Sequence, residues 1–309
     1  MRSALLLLIV ITTSAFGQTP PPTDPIRTRE LLWQKLNSDV TGIQRGFDGV
    51  MGIAIRDLTD GHEILINANE VFPTASSIKI SVLAELYRQS QTGQGARLSD
   101  QYTVRKEDIV ADSAIMENLT PGVSRITNRD LAGFVVAVSD NAATNVLIDR
   151  VGMENVNHTL DSLGFHQTRL RRKMMDLQAA QQGRENIATP REMAALLETL
   201  FRGKVLNKES TDDFFKLLSS CKKGQIPRLL PEDLKIANKP GELAGVRNDN
   251  GIVFVKDRPF VISVMTSYAQ DERAAELAIS RIAELAYRYF DMVGSASNYG
   301  RIISPNNSR

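Results

Sequence analysis

The chain has 309 residues, with 37 Lys and Arg against 36 Asp and Glu, three His, one Cys and 42% hydrophobic content. Near-neutral charge excludes a nucleic-acid binder that relies on bulk positive charge, and Cys221 with three scattered His supplies neither an internal disulfide nor an obvious structural zinc site. A charged content of 24% excludes wholesale disorder, and the length suits one large domain or two intimate ones with ample core.

Met1-Arg2 is a short positive start, Ala4 to Ile11 is an unbroken apolar run, and Ala15 and Gly17 are small. This is the layout of a secretory signal peptide over residues 1–17, which implies a periplasmic or secreted protein. The apolar run is too short to span a bilayer and no lipid-accepting Cys follows it, so no stable membrane anchor is expected. Its removal takes away one Arg and no acid, leaving the charge balanced. Residues 18–27 carry three consecutive prolines and read as an extended tether.

Residues 28–45 read as a first helix, with Leu31, Leu32, Leu36 and Ile43 on roughly one side. Val50 to Asp57 and Glu63 to Asn67 are β-prone runs on either side of Asp60-Gly61, a hairpin signal. From Ser76 the texture turns helical. Ser76–Gln89 carries Ile78, Val82, Leu83 and Leu86 at helical spacing, and Thr127 caps a helix running towards Val138. Helices over 141–150 and 153–163 follow, and Thr189-Pro190-Arg191-Glu192 is a capping box opening a helix to Phe201. Strands return over 246–256 and 259–268 around Asp257-Arg258. A final amphipathic helix spans 271–292, its apolar face running from Ala275 to Phe290.

This order predicts an α/β (more narrowly α+β) fold. The antiparallel sheet is drawn from 28–75 and 230–294 and flanked by terminal helices. An all-helical region, 76–229, is inserted, and 295–309 reads as a frayed tail.

Most nucleophile templates are missing: there is no Gly-x-Ser-x-Gly elbow, no His-Glu-x-x-His and no phosphate-cradling glycine loop. His62, His158 and His166 sit in polar surroundings and read as solvated. Ser-x-x-Lys occurs as Ser76/Lys79, Ser219/Lys222 and Ser220/Lys223, where about one match is expected by chance. Only the first opens a predicted helix. There the hydroxyl lies near the positive helix end, and a buried Lys79 one turn on can take its proton. Ser139-Asp140-Asn141 between two helices offers a second hydroxyl for proton relay and an amide for holding substrate. Lys239-Pro240-Gly241 precedes a hairpin, with Arg247-Asn248-Asp249 beyond it. A Lys and an Arg there suit a substrate carboxylate, and the Gly allows close approach.

These three motifs, in order and approximate separation, resemble those of the class A β-lactamases and related penicillin-recognising serine hydrolases. Phe72-Pro73-Thr74-Ala75, Thr168-Arg169-Leu170 and Thr189-Pro190 extend the resemblance over most of the chain. The resemblance implies that Ser76 is acylated by a small-molecule β-lactam; the alternatives are a peptidoglycan-peptide or ester/amide hydrolase with slow deacylation, or a non-catalytic penicillin- or muropeptide-binding protein. It implies that Lys79 is the base, that Ser139 and Lys239 relay the proton, and that Asn141 contacts substrate. The oxyanion would sit at the N–H groups of Ser76 and Glu242, the residue after Gly241, and Arg247 would bind the substrate carboxylate. No cofactor, metal or nucleic acid is implied, and a monomer is expected. Two departures stand out. The family's deacylation Glu falls on Met174, leaving Asp176 as the possible substitute, and Gln178 replaces a water-holding Asn. Pro240 replaces the usual Thr or Ser. The basic cluster Arg169, Arg171, Arg172 and Lys173 reads as a solvated loop face.

Overall fold

The computed structural model describes residues 25–221, 224–297 and 299–303. The signal-peptide expectation, residues 1–17, and Lys222 and Lys223 of the two further Ser-x-x-Lys matches lie outside the described residues.

Helix α1 (Pro25–Arg45) begins three residues before the expected start and takes in the end of the expected tether. It leads into β1 (Val50–Asp57) and β2 (Glu63–Ile66), joined at Gly61, whose φ of 82° suits glycine. Then come β3 (Phe72–Pro73), a 3₁₀ turn (Ala75–Ile78), α2 (Lys79–Thr92) and the ribbon of β4 (Gln101–Thr103) with β5 (Arg125–Thr127). Helices α3 (Asn128–Ala137), α4 (Asn141–Val151), α5 (Met153–Ser162) and α6 (Leu177–Gln181) precede β6 (Ile187–Ala188), which pairs with β3. Helices α7 (Pro190–Phe201) and α8 (Lys208–Leu218), a second 3₁₀ turn (Ile226–Leu229), β7 (Ile236–Leu243), β8 (Val246–Val253), β9 (Phe260–Ser267) and α9 (Glu272–Gly294) complete the chain. The inserted region is therefore not all-helical, since the β4–β5 ribbon and β6 lie within it.

The sheet has five antiparallel strands in the order β2-β1-β9-β8-β7, so strands from both ends of the chain join as expected. β1 and β9 are central and buried on both faces, which is why they read as continuous apolar runs rather than alternating ones. β7 is an edge strand. This is the edge position expected for Lys239 and Pro240, and it tolerates the proline.

One face of the sheet packs on the inserted helices through Ala54, Ala237, Ile252, Val261 and Met265. The other packs on α1 and α9 through Met51, Ile53, Ile55, Phe260 and Ile262. There Phe260 stacks on Phe290 at 4.3 Å, and Trp33 of α1 meets Tyr289 edge-on at 5.1 Å. Asp271 caps α9 by accepting the N–H groups of Arg273 and Ala274. The expected frayed tail is a turn: Ala296 bridges Ile302, and Ser297 N donates to Arg301 O at 2.8 Å. Residues 304–309 lie outside the described set.

Phe290 is fully buried in this second core. Phe290→Ala is expected to cost about 3–5 kcal/mol, read from the denaturant midpoint. A loss below about 1 kcal/mol would contradict this packing.

Candidate active site

A cleft of about 300 Å³ opens where the edge of β7 meets the inserted helices. Its wall includes Ser76, Ser139, Asn141, Lys239 and Glu242, drawn from all three sequence motifs. It also includes Asp112, Arg172, Met174, Asn186 and Cys221. Four wall residues other than glycine have left-handed backbone: Ala75 (φ 49°), Asp112 (φ 55°), Ser139 (φ 61°) and Met175 (φ 63°). Each such residue costs of order 1–3 kcal/mol, a strain that surrounding contacts must hold in place.

Ser76 sits in the 3₁₀ turn just before α2, not on the α-helix itself. The turn is held from several sides. Ser77 donates its hydroxyl to Thr74 O at 2.7 Å, and Thr74 N donates to Asn186 O at 2.9 Å. Gly241 presses against the same turn. A Cβ there would lie 2.4 Å from Thr74 O and 3.0 Å from Ser77 N, so only glycine fits.

Lys79, the first residue of α2, has no solvent exposure. Its Nζ donates to Ser139 O at 2.6 Å and Asn141 Oδ1 at 2.8 Å, and lies 3.0 Å from Ser139 Oγ. Lys239 Nζ donates to the same Ser139 hydroxyl at 3.0 Å and to Pro240 O at 3.1 Å. One hydroxyl thus lies between two buried amines. Burial holds the Lys79 amine well below its ordinary value of 10.5; Lys239 adds to the shift, while Asp140 and Asp112 oppose it. The folded state then binds fewer protons than the unfolded chain between that depressed value and 10.5. Stability lost to burying Lys79 is recovered as pH rises through this window. A neutral Lys79 donates its two N–H groups to the two carbonyls and turns its lone pair to a hydroxyl.

Asp140 organises the turn between α3 and α4. It caps α4 by accepting from Ala143 N, and it accepts from Ile115 N and Met116 N, each at 2.9 Å. Asn141 also donates to Ala111 O at 3.2 Å.

Two expected site residues are not brought into the cleft. Side chains alternate along a strand, and on β8 Asn248 faces Pro73 while Arg247 faces α9. Arg247 there donates to Glu276 at 3.0 Å and pairs with Glu272. Asp176 is exposed and caps α6 by accepting from Ala179 N at 2.9 Å. Met174, by contrast, is buried in the cleft wall, its backbone fixed by Asn145, which accepts from Met174 N at 2.7 Å and donates to Met174 O at 3.0 Å.

Asn145 escaped sequence reading, although it lies one turn beyond Asn141 on the same helix face. Asn186 escaped it too; its side chain accepts from Arg171 N and Arg172 N, tying this segment to the Ser76 turn. The basic cluster is solvated in part: Arg171 is exposed, Arg169 and Lys173 are half-buried and pair with Asp161 and Asp149, and only Arg172 is buried, against Glu185 at 2.9 Å. Ser219 and Ser220, the serines of the other Ser-x-x-Lys matches, donate to α8 carbonyls of Phe215 and Leu217.

A nucleophile-bearing turn, a depressed lysine and a shared hydroxyl at one sheet edge define a serine hydrolase of the acyl-transfer kind. A profile of the Beta-lactamase enzyme family matches residues 33–290, and the chain belongs to that family as a serine β-lactamase-like hydrolase. It is 28% identical over 246 residues to the imipenem-hydrolysing β-lactamase of Enterobacter cloacae, across 77% of this chain and 83% of that protein. A β-lactamase structure from Sphaerobacter thermophilus is 30% identical with a TM-score of 0.75, covering 83% of this chain and 97% of that one. PBP-A shares the fold, with 24% identity and a TM-score of 0.75 over 83% and 96% of the two chains.

Gly241→Ala is expected to push β7 off the Ser76 turn and slow acylation by a β-lactam about 100-fold, the scale of a 1 Å misplacement. Stopped-flow acylation beside a thermal melt checks this. Acylation within about threefold of wild type would contradict the tight contact.

Proposed function

We propose that the protein is an exported serine hydrolase that opens β-lactam rings by acylating Ser76 and releases the acyl group slowly. One observation carries the reading: a single hydroxyl, Ser139 Oγ, held at 3.0 Å by each of two buried lysines beside Ser76 in one cleft. Neutral Lys79 takes the Ser76 proton as Oγ attacks the lactam carbonyl. The N–H groups of Ser76 and Glu242 receive the developing oxyanion. The C–N bond then breaks, and the leaving nitrogen takes a proton through Ser139, replenished from the lysine side. Asn141 orients Lys79 and the substrate amide, and Gly241 admits the substrate backbone. With Arg247 engaged by α9, Lys239 of β7, in the cleft wall, is the cation we assign to the substrate carboxylate. The export half of the reading rests on the leader-like residues 1–17; among the described residues no helix is long and apolar enough to cross a membrane.

Slow release follows from Met174, which brings a thioether where a water-activating carboxylate would be needed. This favours a second reading of the same site, a peptidoglycan-peptide or ester hydrolase that β-lactams acylate in passing.

Mixing the protein with a chromogenic β-lactam is expected to give a stoichiometric burst, an adduct on Ser76 by mass, and slow turnover. Ser76→Ala loses all three, and no adduct with any β-lactam or acyl-peptide would overturn the assignment. Lys79→Arg, which keeps the charge but has no accessible neutral form, is expected to slow the burst about 100-fold or more without abolishing folding. Met174→Glu is expected to speed release at least about tenfold, whereas Asp176→Asn leaves it unchanged. Slower release in Asp176→Asn would restore that residue as the base.

A further inference from the structure

The first turns of α1 carry Thr28, Leu31, Leu32 and Lys35 along one stripe, the spacing of neighbours on a helix face. Trp33, Leu36 and Val40 take the adjoining stripe into the core beside α9, and Leu31 is left 60% exposed. Between the first stripe and the end of α9 runs a groove of about 780 Å³, on the face of the sheet opposite the cleft. Met292, Val293 and Ala296 form its other side. Its size is that of small-molecule sites, about 300–1,000 Å³, and the acyl-transfer mechanism makes no use of it.

Among the described residues, every charged one in this wall is a cation: Arg29, Lys35 and Arg258. Arg29 pairs with Asp60 at 3.3 Å, and Lys35 with Asp39 at 2.9 Å. Arg258 is different. It sits in the turn between β8 and β9, under the end of α9, where its Cβ would lie 3.6 Å from a Cβ on Gly294. It is 8% exposed, and its Nη2 is spent on Asp57 at 2.5 Å and on Asp60. Its Nε is buried with no acceptor. A buried donor left unpaired is costly, and native proteins seldom keep one without a partner.

We infer that this groove binds a single-chain amphiphile with a carboxylate head, of the fatty-acid class. The head meets Arg258, and the chain lies along Leu31, Leu32, Met292 and Val293. Asp57 and Asp60 already balance the charge of Arg258, so charge alone does not hold the head. The unpaired N–H selects an oxygen acceptor, and the cations Arg29 and Lys35 in the same wall favour one that is negatively charged. The chain covers the apolar stripe of α1, each two methylenes adding about tenfold in affinity. A ligand so placed ties α1 to α9 and to the β8–β9 turn, and stabilises the fold according to its occupancy. The site lies across the sheet from Ser76 and stands independently of the reading of that residue.

Calorimetric titration of the full-length protein with dodecanoate, below its micelle concentration, is expected to show one saturable site. The melting temperature climbs with dodecanoate concentration. Decanoate binds about tenfold more weakly, and dodecanol and dodecyltrimethylammonium at least about tenfold more weakly. Arg258→Lys keeps a cation for Asp57 and Asp60 but lacks the Nε–H, and lowers affinity about tenfold. Leu31→Asp, at an exposed position where the fold tolerates change, lowers it at least about tenfold. Melts without ligand confirm that the variants are folded. No saturable dodecanoate site, dodecanol binding as tightly as dodecanoate, or wild-type affinity in either folded variant would overturn the proposal. Without dodecanoate binding to wild type, three results would assign the groove elsewhere and overturn it equally. A dimer broken by Leu31→Asp points to a second copy, and sedimentation with phosphatidylglycerol vesicles points to a lipid surface. Dodecanoate binding gained on deleting residues 18–24 points to the chain itself.

Discussion

Two lysines with almost no solvent exposure converge on one serine hydroxyl, and the rest of the cleft follows from making that tolerable. An ammonium at either place gives up hydration worth several kcal/mol and repels the other, which is why Lys79 is held well below its ordinary value. The chain answers with oxygen acceptors: Ser139 O and Asn141 Oδ1 for Lys79, and Pro240 O for Lys239. Ser139 must offer Lys79 both its carbonyl and its hydroxyl, and it does so from a left-handed backbone at φ 61°. That bend is secured by the next residue, since Asp140 ties α4 to the 113–116 segment. Three consecutive residues thus hold three separate duties, which explains why neither a lone serine nor a lone capping turn accounts for them.

The same economy separates the two faces of β7 and β8. Gly241, Asn248 and Asn250 face the inserted helices, while Asn238, Arg247 and Asp249 face α9 and the 226–229 turn. A one-residue difference in position therefore decides whether a charge meets substrate or scaffold. The written order Arg247-Asn248-Asp249 is visible in sequence, but the face each residue takes is not. Arg247 was expected beside the substrate for that reason, and two glutamates one turn apart on α9 claim it instead.

Local signals carried well into structure. The caps at Thr127 and Thr189 each accept the backbone N–H that such residues favour. The Asp60-Gly61 and Asp257-Arg258 turns join the strands expected of them. Long-range partners did not carry. Arg172 finds Glu185 thirteen residues away, and Asn145 finds the Met174 backbone twenty-nine residues away. Nothing in local spacing encodes those meetings. An edge strand was expected around Lys239, but the bounds of β7 were not, because Pro240 and Gly241 are its least strand-like residues.

The segment over 171–178 fixes which side chain lines the cleft. Asn145 pairs with both backbone groups of Met174, so the residue facing the cleft is set by the backbone and not by side-chain preference. Bringing Asp176 into that place requires a two-residue shift. It would break the Asn145 pairing, uncap α6 and move the left-handed bend off Met175. Each loss costs on the order of 1 kcal/mol or more, and the exposed carboxylate would have to be desolvated as well. The loop is therefore held in the register that keeps a thioether in the wall. The acceptor-lined lysines owe nothing to this loop, so under the proposed reading ester formation on Ser76 is independent of it and only the activation of water depends on it.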